Sequence, residues 1–208
     1  MNSSQLHTGI FPLGVFLMPG ETIPLHISEP RYKQLVNMAL NSDLPFTIIY
    51  FQKGKKSEYG SLVHVTKVVN RYNTGDLDII VTCKKNVKII RTYSANEDNQ
   101  YQSAVVNTLS LPPYEVSKGV KLAYIDYLNA LEHSSLEINR DEIKAVVAIA
   151  EMTTAYDLLS VLNLSHSQKL NWVKHQLSGN LDEYILKQLR ILTRLMEQEK
   201  TESGFYLN

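Results

Sequence analysis

The chain of 208 residues has 44% hydrophobic side chains, 21 basic and 21 acidic side chains, and a formal net charge of zero. This composition excludes a disordered chain and disfavours a strongly basic nucleic-acid-binding protein, while a local basic patch stays open. The single cysteine excludes an internal disulfide and every multi-cysteine zinc motif. No apolar stretch approaches the ~20 residues of a membrane span, and the polar start lacks the features of a signal peptide. We therefore expect a soluble, cytoplasmic protein with no membrane partner.

The first half of the chain has the spacing of short antiparallel strands joined by polar turns. Residues 46–51 form an apolar run of β-branched and aromatic residues, and residues 61–69 alternate between two faces. The strands predicted here span residues 46–51, 61–69, 77–82, 87–93 and 101–111. Several short strands at this spacing favour an antiparallel barrel or sandwich-like sheet.

One helix is predicted within this β-rich region. Ser28 stands at a capping position, Pro30 suits the first helical turn, and apolar side chains follow at helical spacing as far as Leu40. The sequence therefore predicts a single helix inserted among the strands.

Pro112 and Pro113 mark a change of pattern, because two adjacent prolines continue neither a strand ladder nor a helix. Beyond them, apolar residues recur at helical spacing. The stripes predict helices that include residues 120–131, 142–152, 170–177 and 181–199. The prediction is an α+β chain with a β-rich region over residues 1–113 and a helical bundle over residues 114–208.

Motifs of catalysis and cofactor binding are absent from the sequence. There is no phosphate-binding glycine loop, no dinucleotide fingerprint, no zinc-protease helix and no nucleophile elbow. The six histidines are scattered, and none is paired at metal-ligand spacing. We therefore predict no catalytic residue, no metal, no cofactor and no enzymatic activity.

Two residues leave a chemical role open. Cys83 would be a nucleophile with a histidine beside it, although a small buried hydrophobic side chain is the favoured interpretation. Glu29 follows His26 by three residues and would orient its imidazole. A structural hydrogen bond of His26 at the start of the helix is the favoured alternative.

Two basic runs suggest another class of ligand. Tyrosines lie near both runs, and aromatic side chains among basic ones suit a single strand of nucleic acid. The runs are Lys53, Lys55 and Lys56, and Lys84, Lys85, Lys88 and Arg91. The zero net charge favours instead a solvated loop and an outer strand face.

Residues 10–32 carry a recognisable pattern, IFPLGVFLMPGETIPLHISEPRY. This segment closely resembles the opening of the Lon N-terminal domain, the substrate-recognition domain of the ATP-dependent protease La. The matching positions, called the signature residues below, are Phe11, Pro12, Leu13, Pro19, Gly20, Pro24, Leu25, Ile27, Glu29, Arg31 and Tyr32. The chain departs from the family pattern at Ser28, where the family usually has Phe, and at residues 84–87.

The resemblance implies a PUA-like, antiparallel β-rich pseudo-barrel followed by a helical subdomain. The ATPase module and the Ser-Lys protease module of the full protease are absent from these 208 residues. The chain therefore resembles a stand-alone Lon-domain protein.

The signature residues have a physical interpretation of their own. Prolines stiffen the chain around the first strand, and Gly20 permits the turn that Pro19 begins. Glu29 lies in the first helical turn, where the helix dipole favours an anion. Arg31 is expected to pair with Glu29, with Asp43 or with backbone carbonyls. This interpretation is architectural, and a binding role is the alternative.

The resemblance implies a non-enzymatic module that binds unfolded or exposed apolar polypeptide. An adaptor that presents polypeptides to a protease is one version of this function. We expect the ligand in a groove between the β-rich and helical regions. The alternative function is that of a nucleic-acid-binding PUA-like protein. The sequence does not predict an oligomeric state.

Overall fold

The computed structural model of the chain describes residues 5–112, 114–132, 158–159 and 162–205. Six strands lie in these ranges: β1 Gln5–Leu13, β2 Thr22–Ile27, β3 Phe46–Gln52, β4 Lys55–Arg71, β5 Leu77–Tyr93 and β6 Ser103–Thr108. The helices are α1 Pro30–Ser42, α2 Lys118–Glu132, α3 His166–Ser178 and α4 Leu181–Phe205. The helix predicted over residues 142–152 lies outside the described residues. The α+β class, with strands first and helices after, is confirmed.

The chain divides into two compact units. The first is Met1–Ser110 with His166–Leu170, and the second is Leu111–Ser165 with Asn171–Asn208. The first turn of α3 thus belongs to the strand-rich unit, although it follows the predicted boundary at Pro112 and Pro113. The division into domains of residues 1–113 and 114–208 stays a prediction.

The strand-rich unit is built on one sheet that closes into a barrel. The strand order is β2-β5-β4-β3-β1-β6, and β6 also pairs with β5. The second half of β5 takes β6 as its neighbour, and the first half takes β2. Five strands therefore form a closed ring, and β2 is an additional edge strand.

One strand pair differs from the predicted antiparallel arrangement. Strands β1 and β3 run parallel, with Ile10 opposite Thr47 and Leu13 opposite Tyr50. Parallel neighbours need a long crossover connection, and the segment that holds β2 and α1 supplies it. Spacing along the sequence does not reveal this pairing, because it depends on which strands become neighbours.

The two strands predicted at residues 77–82 and 87–93 are parts of the single strand β5. The polar residues between them form a β-bulge, where Leu62 pairs with Lys85 and Val63 pairs with Cys83. One extra residue in a strand reverses its alternation of faces. The strand therefore continues through a segment that has the composition of a turn.

The N-cap of helix α1 lies one residue later than predicted. Glu29, and not Ser28, is the N-cap residue, and its side chain makes no capping hydrogen bond. Its carboxylate is held instead by Arg31. The buried face of the helix consists of Tyr32, Leu35, Val36 and Ala39, as the helical spacing predicts.

Helices α2, α3 and α4 carry apolar stripes at the predicted positions. Most of the stripe residues are buried: Val120, Tyr124, Tyr127 and Leu128 on α2, and Leu181, Ile185 and Leu189 on α4. Leu131 on α2 and Leu192 and Met196 on α4 are half-buried. In α3, Leu170 and Val173 are buried, but Leu177 is 38% exposed. None of the described helices combines the length and the apolar character that a membrane span requires.

Candidate functional site

A groove of about 690 Å³ opens beside β1 and lies wholly within the strand-rich unit. We call it the β1 groove. Its apolar lining consists of Ile10, Phe11, Pro12, Leu13, Tyr32, Phe51 and Ala95. Its polar lining includes His26, Glu29, Arg31, Lys56, Gln100 and Gln102. Six of the signature residues therefore meet in one concave surface.

The groove begins where β1 and β6 part. The pairing of these strands ends with Gly9 opposite Ser103, and the next amide, of Ile10, donates to the carbonyl of Gln102 at 2.8 Å. Beyond this bond, β1 is paired only with β3 within the described residues. Hydrogen-bonding groups of successive strand residues face opposite sides, so Pro12 faces the groove. Proline has no N–H, and this open edge therefore offers a carbonyl acceptor without the matching donor.

An aromatic stack forms the floor of the groove. The rings of Phe11 and Tyr32 lie 4.1 Å apart at an interplanar angle of 27°. Both side chains are largely buried, and burial raises the pKa of Tyr32. Phe51 is 39% exposed and presents apolar surface to solvent at this site.

Arg31 and Glu29 form an ion pair at the start of α1. Both Nε and Nη2 of Arg31 donate to Oε2 of Glu29, at 2.9 and 2.6 Å, and the guanidinium lies 4.7 Å from the ring centre of Tyr32. The hydrogen bond to Glu29 raises the pKa of Arg31. Of the partners expected for Arg31, the structure contains Glu29. The ion pair thus orders the groove wall above the aromatic stack.

His26 is held by a carboxylate that the sequence analysis missed. Its Nδ1 lies 2.7 Å from Oδ1 of Asp78 on β5. The partner is therefore neither Glu29, the carboxylate considered as an alternative, nor a group at the start of α1, where the favoured structural hydrogen bond was expected. Asp78 also accepts hydrogen bonds from Asn70 and Tyr72. The bonds from Asn70, Tyr72 and His26 lower the pKa of Asp78 to about 2. This pairing can be predicted only from the antiparallel register of β2 and β5, which places His26 opposite Asp78.

Lys56 differs from the other charged groups of the groove. Its Nζ donates to Oε1 of Gln102 at 2.5 Å. Among the described residues, no carboxylate oxygen lies within 4.0 Å of this ammonium group. Lys56 is also the register partner of Phe51 across β3 and β4. An uncompensated cation therefore stands beside an exposed aromatic ring.

The comparisons with known proteins identify the family. The profile of the ATP-dependent protease La (LON) substrate-binding domain matches residues 9–172. The chain belongs to this family. This membership supports a substrate-recognition module, because the Lon N-terminal domain is a non-catalytic recognition domain. No curated protein matches the chain.

Two solved structures of Lon N-terminal domains share the fold. The Lon N-terminal domain protein from Xanthomonas campestris is 19% identical with a TM-score of 0.59, and the match covers 85% of this chain and 97% of that one. The N-terminal domain of Mycobacterium avium complex Lon protease is 14% identical with a TM-score of 0.56, covering 92% and 98%. At these identities the likeness shows the fold alone.

The remaining signature residues of this Lon substrate-binding domain lie outside the lining of the β1 groove. Gly20 has a φ of +90°, which favours glycine, and its N–H donates to the carbonyl of Cys83 at 2.9 Å. Pro24 lies on the edge strand β2, where a missing N–H costs no ladder bond. The other residues outside the lining are Pro19, Leu25 and Ile27. A binding role for the signature residues stays a prediction.

Cys83 is buried, as the favoured interpretation predicts. Its Sγ lies 3.5 Å from the carbonyl oxygen of Leu17, which also accepts a hydrogen bond from Asn86. Burial raises the pKa of Cys83 to about 12. The thiol therefore stays protonated at neutral pH and is unsuited to nucleophilic attack.

The basic runs of the Lon domain lie on the adjacent strands β4 and β5 and on the turn that leads into β4. Lys84 and Lys85 are both exposed at the β-bulge, while Lys88 approaches Glu58 at 3.9 Å. The Arg91 guanidinium lies 5.1 Å from the ring centre of Tyr93.

Within the described ranges, no group of three His, Cys, Asp or Glu side chains is placed to hold a metal ion.

Proposed function

We propose that this protein is a non-enzymatic recognition module that binds unfolded or exposed apolar polypeptide in the β1 groove. The observation that carries the proposal is the combination of an open strand edge with an aromatic floor. A folded protein pairs its own backbone and buries its own apolar side chains. An unfolded segment has both kinds of group available, so the groove favours unfolded chains.

The groove suits sequence-tolerant binding. The open edge offers the Pro12 carbonyl but lacks a regular series of donors, so it supports few backbone hydrogen bonds. Contact with Phe51 removes apolar surface from water on both partners. We therefore expect micromolar-class affinity that depends on apolar content more than on a fixed sequence. The sequence favours a ligand groove between the two regions of the chain, whereas the groove proposed here lies within the strand-rich unit.

We propose an adaptor role as the biological setting of this binding. Family membership supports it, because the matching family comprises the substrate-binding domains of an ATP-dependent protease. In this role the chain would hold a polypeptide while a separate protease cleaves it.

The test is a titration against one polypeptide in its permanently unfolded form and in its folded form. We expect saturable binding of the unfolded form that changes little between low and high salt. Phe51→Ser should weaken this binding about fivefold, because an exposed aromatic contact is lost. Ile90→Ser removes a similarly exposed side chain on β5 outside the groove and should have no effect. Equal binding of both forms would overturn the proposal.

A nucleic-acid function is the alternative, favoured by the exposed Lys84 and Lys85 and by the Arg91–Tyr93 contact. It predicts retention of RNA or DNA at low salt and a steep loss of affinity as salt increases. If the protein retains nucleic acid but does not bind unfolded polypeptide, the nucleic-acid function replaces the first proposal.

A further inference from the structure

The charges that line the β1 groove are not balanced. The Arg31 guanidinium is compensated by Glu29, and the His26 ring is bonded to Asp78. The Lys56 ammonium contacts only the neutral amide of Gln102 among the polar groups described above. The lining therefore has one cation in excess, and that cation is exposed to solvent.

The excess cation has a fixed apolar neighbour. Lys56 and Phe51 are register partners, and directly opposed residues of an antiparallel pair have Cβ atoms about 4.5–5.5 Å apart on one face. A β-bulge just before Phe51 sets this pairing apart from the regular register that ends at Ile49. The bulge thus fixes which cation stands beside the ring.

From this juxtaposition we infer that the β1 groove selects polypeptides in which a carboxylate lies next to a large apolar side chain. The inference rests on the proposed function and names its substrate class. The apolar side chain packs on Phe51, and the carboxylate binds the Lys56 ammonium. A second donor, the amide nitrogen of Gln102, lies on the side chain that already contacts Lys56.

Two sources supply a carboxylate in an unfolded chain: an acidic side chain and the chain terminus. In an extended segment, residues i and i+2 lie on the same face. A Phe-Ser-Asp segment therefore matches the Phe51–Lys56 pair, and so does a chain that ends in Phe-Ser with a free terminus.

The test uses four fluorescent peptides of otherwise equal composition. One contains Phe-Ser-Asp and one contains Phe-Ser-Asn, both with an amidated end. The other two end in Phe-Ser, one with a free carboxylate and one amidated. Anisotropy titrations compare wild type, Lys56→Gln and the matched control Lys53→Gln. Lys53 lies in the same hairpin but outside the groove lining. Lys53→Gln therefore removes the same charge from the hairpin as Lys56→Gln without changing the groove.

We expect the carboxylate peptides to bind wild type about threefold to fivefold more tightly than their neutral partners, as for an exposed ion pair. Lys56→Gln should abolish this difference, and Lys53→Gln should preserve it. The first peptide pair reports on an acidic side chain and the second on a chain terminus, and a preference within either pair supports the inference.

Three results would overturn the inference. In the first, charged and neutral peptides bind wild type equally, and both bind Phe51→Ser more weakly. This result would leave the proposed function intact and remove the carboxylate preference. Equal loss of the preference in both lysine variants would assign it to the general charge of the hairpin. Failure of all four peptides and of the unfolded polypeptide to bind would reject the proposed function itself.

Discussion

Gly9 of β1 and Leu35 of α1 approach each other so closely that a side chain on Gly9 has no room. A Cβ atom built on Gly9 would lie 2.2 Å from Cδ1 of Leu35 and 2.8 Å from Cε2 of Tyr101. Helix α1 thus packs directly on the backbone of the strand whose next residues form the groove. Glycine at this position thus lets α1, which carries Tyr32, pack against β1, which carries Phe11.

Gly9→Ala should therefore destabilise the protein by about 1–3 kcal/mol, the usual cost of overpacking a core. Urea unfolding monitored by circular dichroism measures the change. Gly14→Ala is the matched control, since its nearest neighbour would be a carbonyl oxygen at 3.7 Å. Equal stability of the two variants would contradict this account of the packing.

Asp78 should contribute to stability in a defined pH range. Its pKa is lowered from 3.8 to about 2 in the folded protein, so its contribution is fully present above pH 4. The contribution is lost as the pH falls through the folded value, because the Asp78 carboxyl then becomes protonated in the folded state as well as in the unfolded state. Melting temperatures of wild type and Asp78→Asn should therefore differ at pH 5 and converge toward pH 2.

Glu97→Gln is the control for this pH dependence. Glu97 is an exposed residue in the loop between β5 and β6, and it is not among the hydrogen-bond partners of Asp78 described above. Its melting temperature should follow wild type at each pH. A difference between wild type and Asp78→Asn that stays constant from pH 5 to pH 2 would show that the carboxylate charge is not responsible.

Much of the fold can be predicted from the sequence because the signals are local. Residues 46–51 and the buried face of α1 carry their own periodicity, and both elements form as predicted. The continuity of β5 cannot be read in this way, because the bulge between Cys83 and Lys85 is defined only against β4. Opposed pairs such as His26 with Asp78 likewise require the register of two strands distant in sequence. The signature residues identify one wall of the groove. Lys56 belongs to a basic run visible in the sequence and Phe51 ends a predicted strand, but their pairing beside this wall depends on the register of β3 and β4.

Cys83 should resist thiol reagents in the folded protein. Its thiol is buried and its pKa is raised to about 12, so little thiolate exists at pH 8 and reagents lack access. Incubation with a maleimide followed by mass measurement should show no adduct without urea and one adduct in urea. Rapid labelling without urea would indicate that the strand pair around Cys83 opens readily.

Pro12→Ala should strengthen polypeptide binding in the β1 groove. The substitution adds an N–H to the open edge of β1, where backbone donors are scarce, and one additional hydrogen bond corresponds to about threefold to tenfold in affinity. The titration against unfolded polypeptide measures the gain. Pro24→Ala adds an N–H to the edge strand β2, outside the groove lining, and should leave the affinity unchanged. Unchanged affinity in Pro12→Ala would indicate that ligands do not pair with this edge.

The strand-rich unit is discontinuous along the chain, and this has a consequence for its synthesis. Its last turn, His166–Leu170, contains His166, which bonds the carbonyl of Phe16 at 3.1 Å, and Lys169, which pairs with Glu21. A ribosome adds ~5–20 residues per second, so the barrel strands emerge several seconds before these two partners exist. During that interval the segment around Phe16 and Glu21 lacks its final contacts. The strand-rich unit therefore acquires its last contacts only after most of the helical region has been translated.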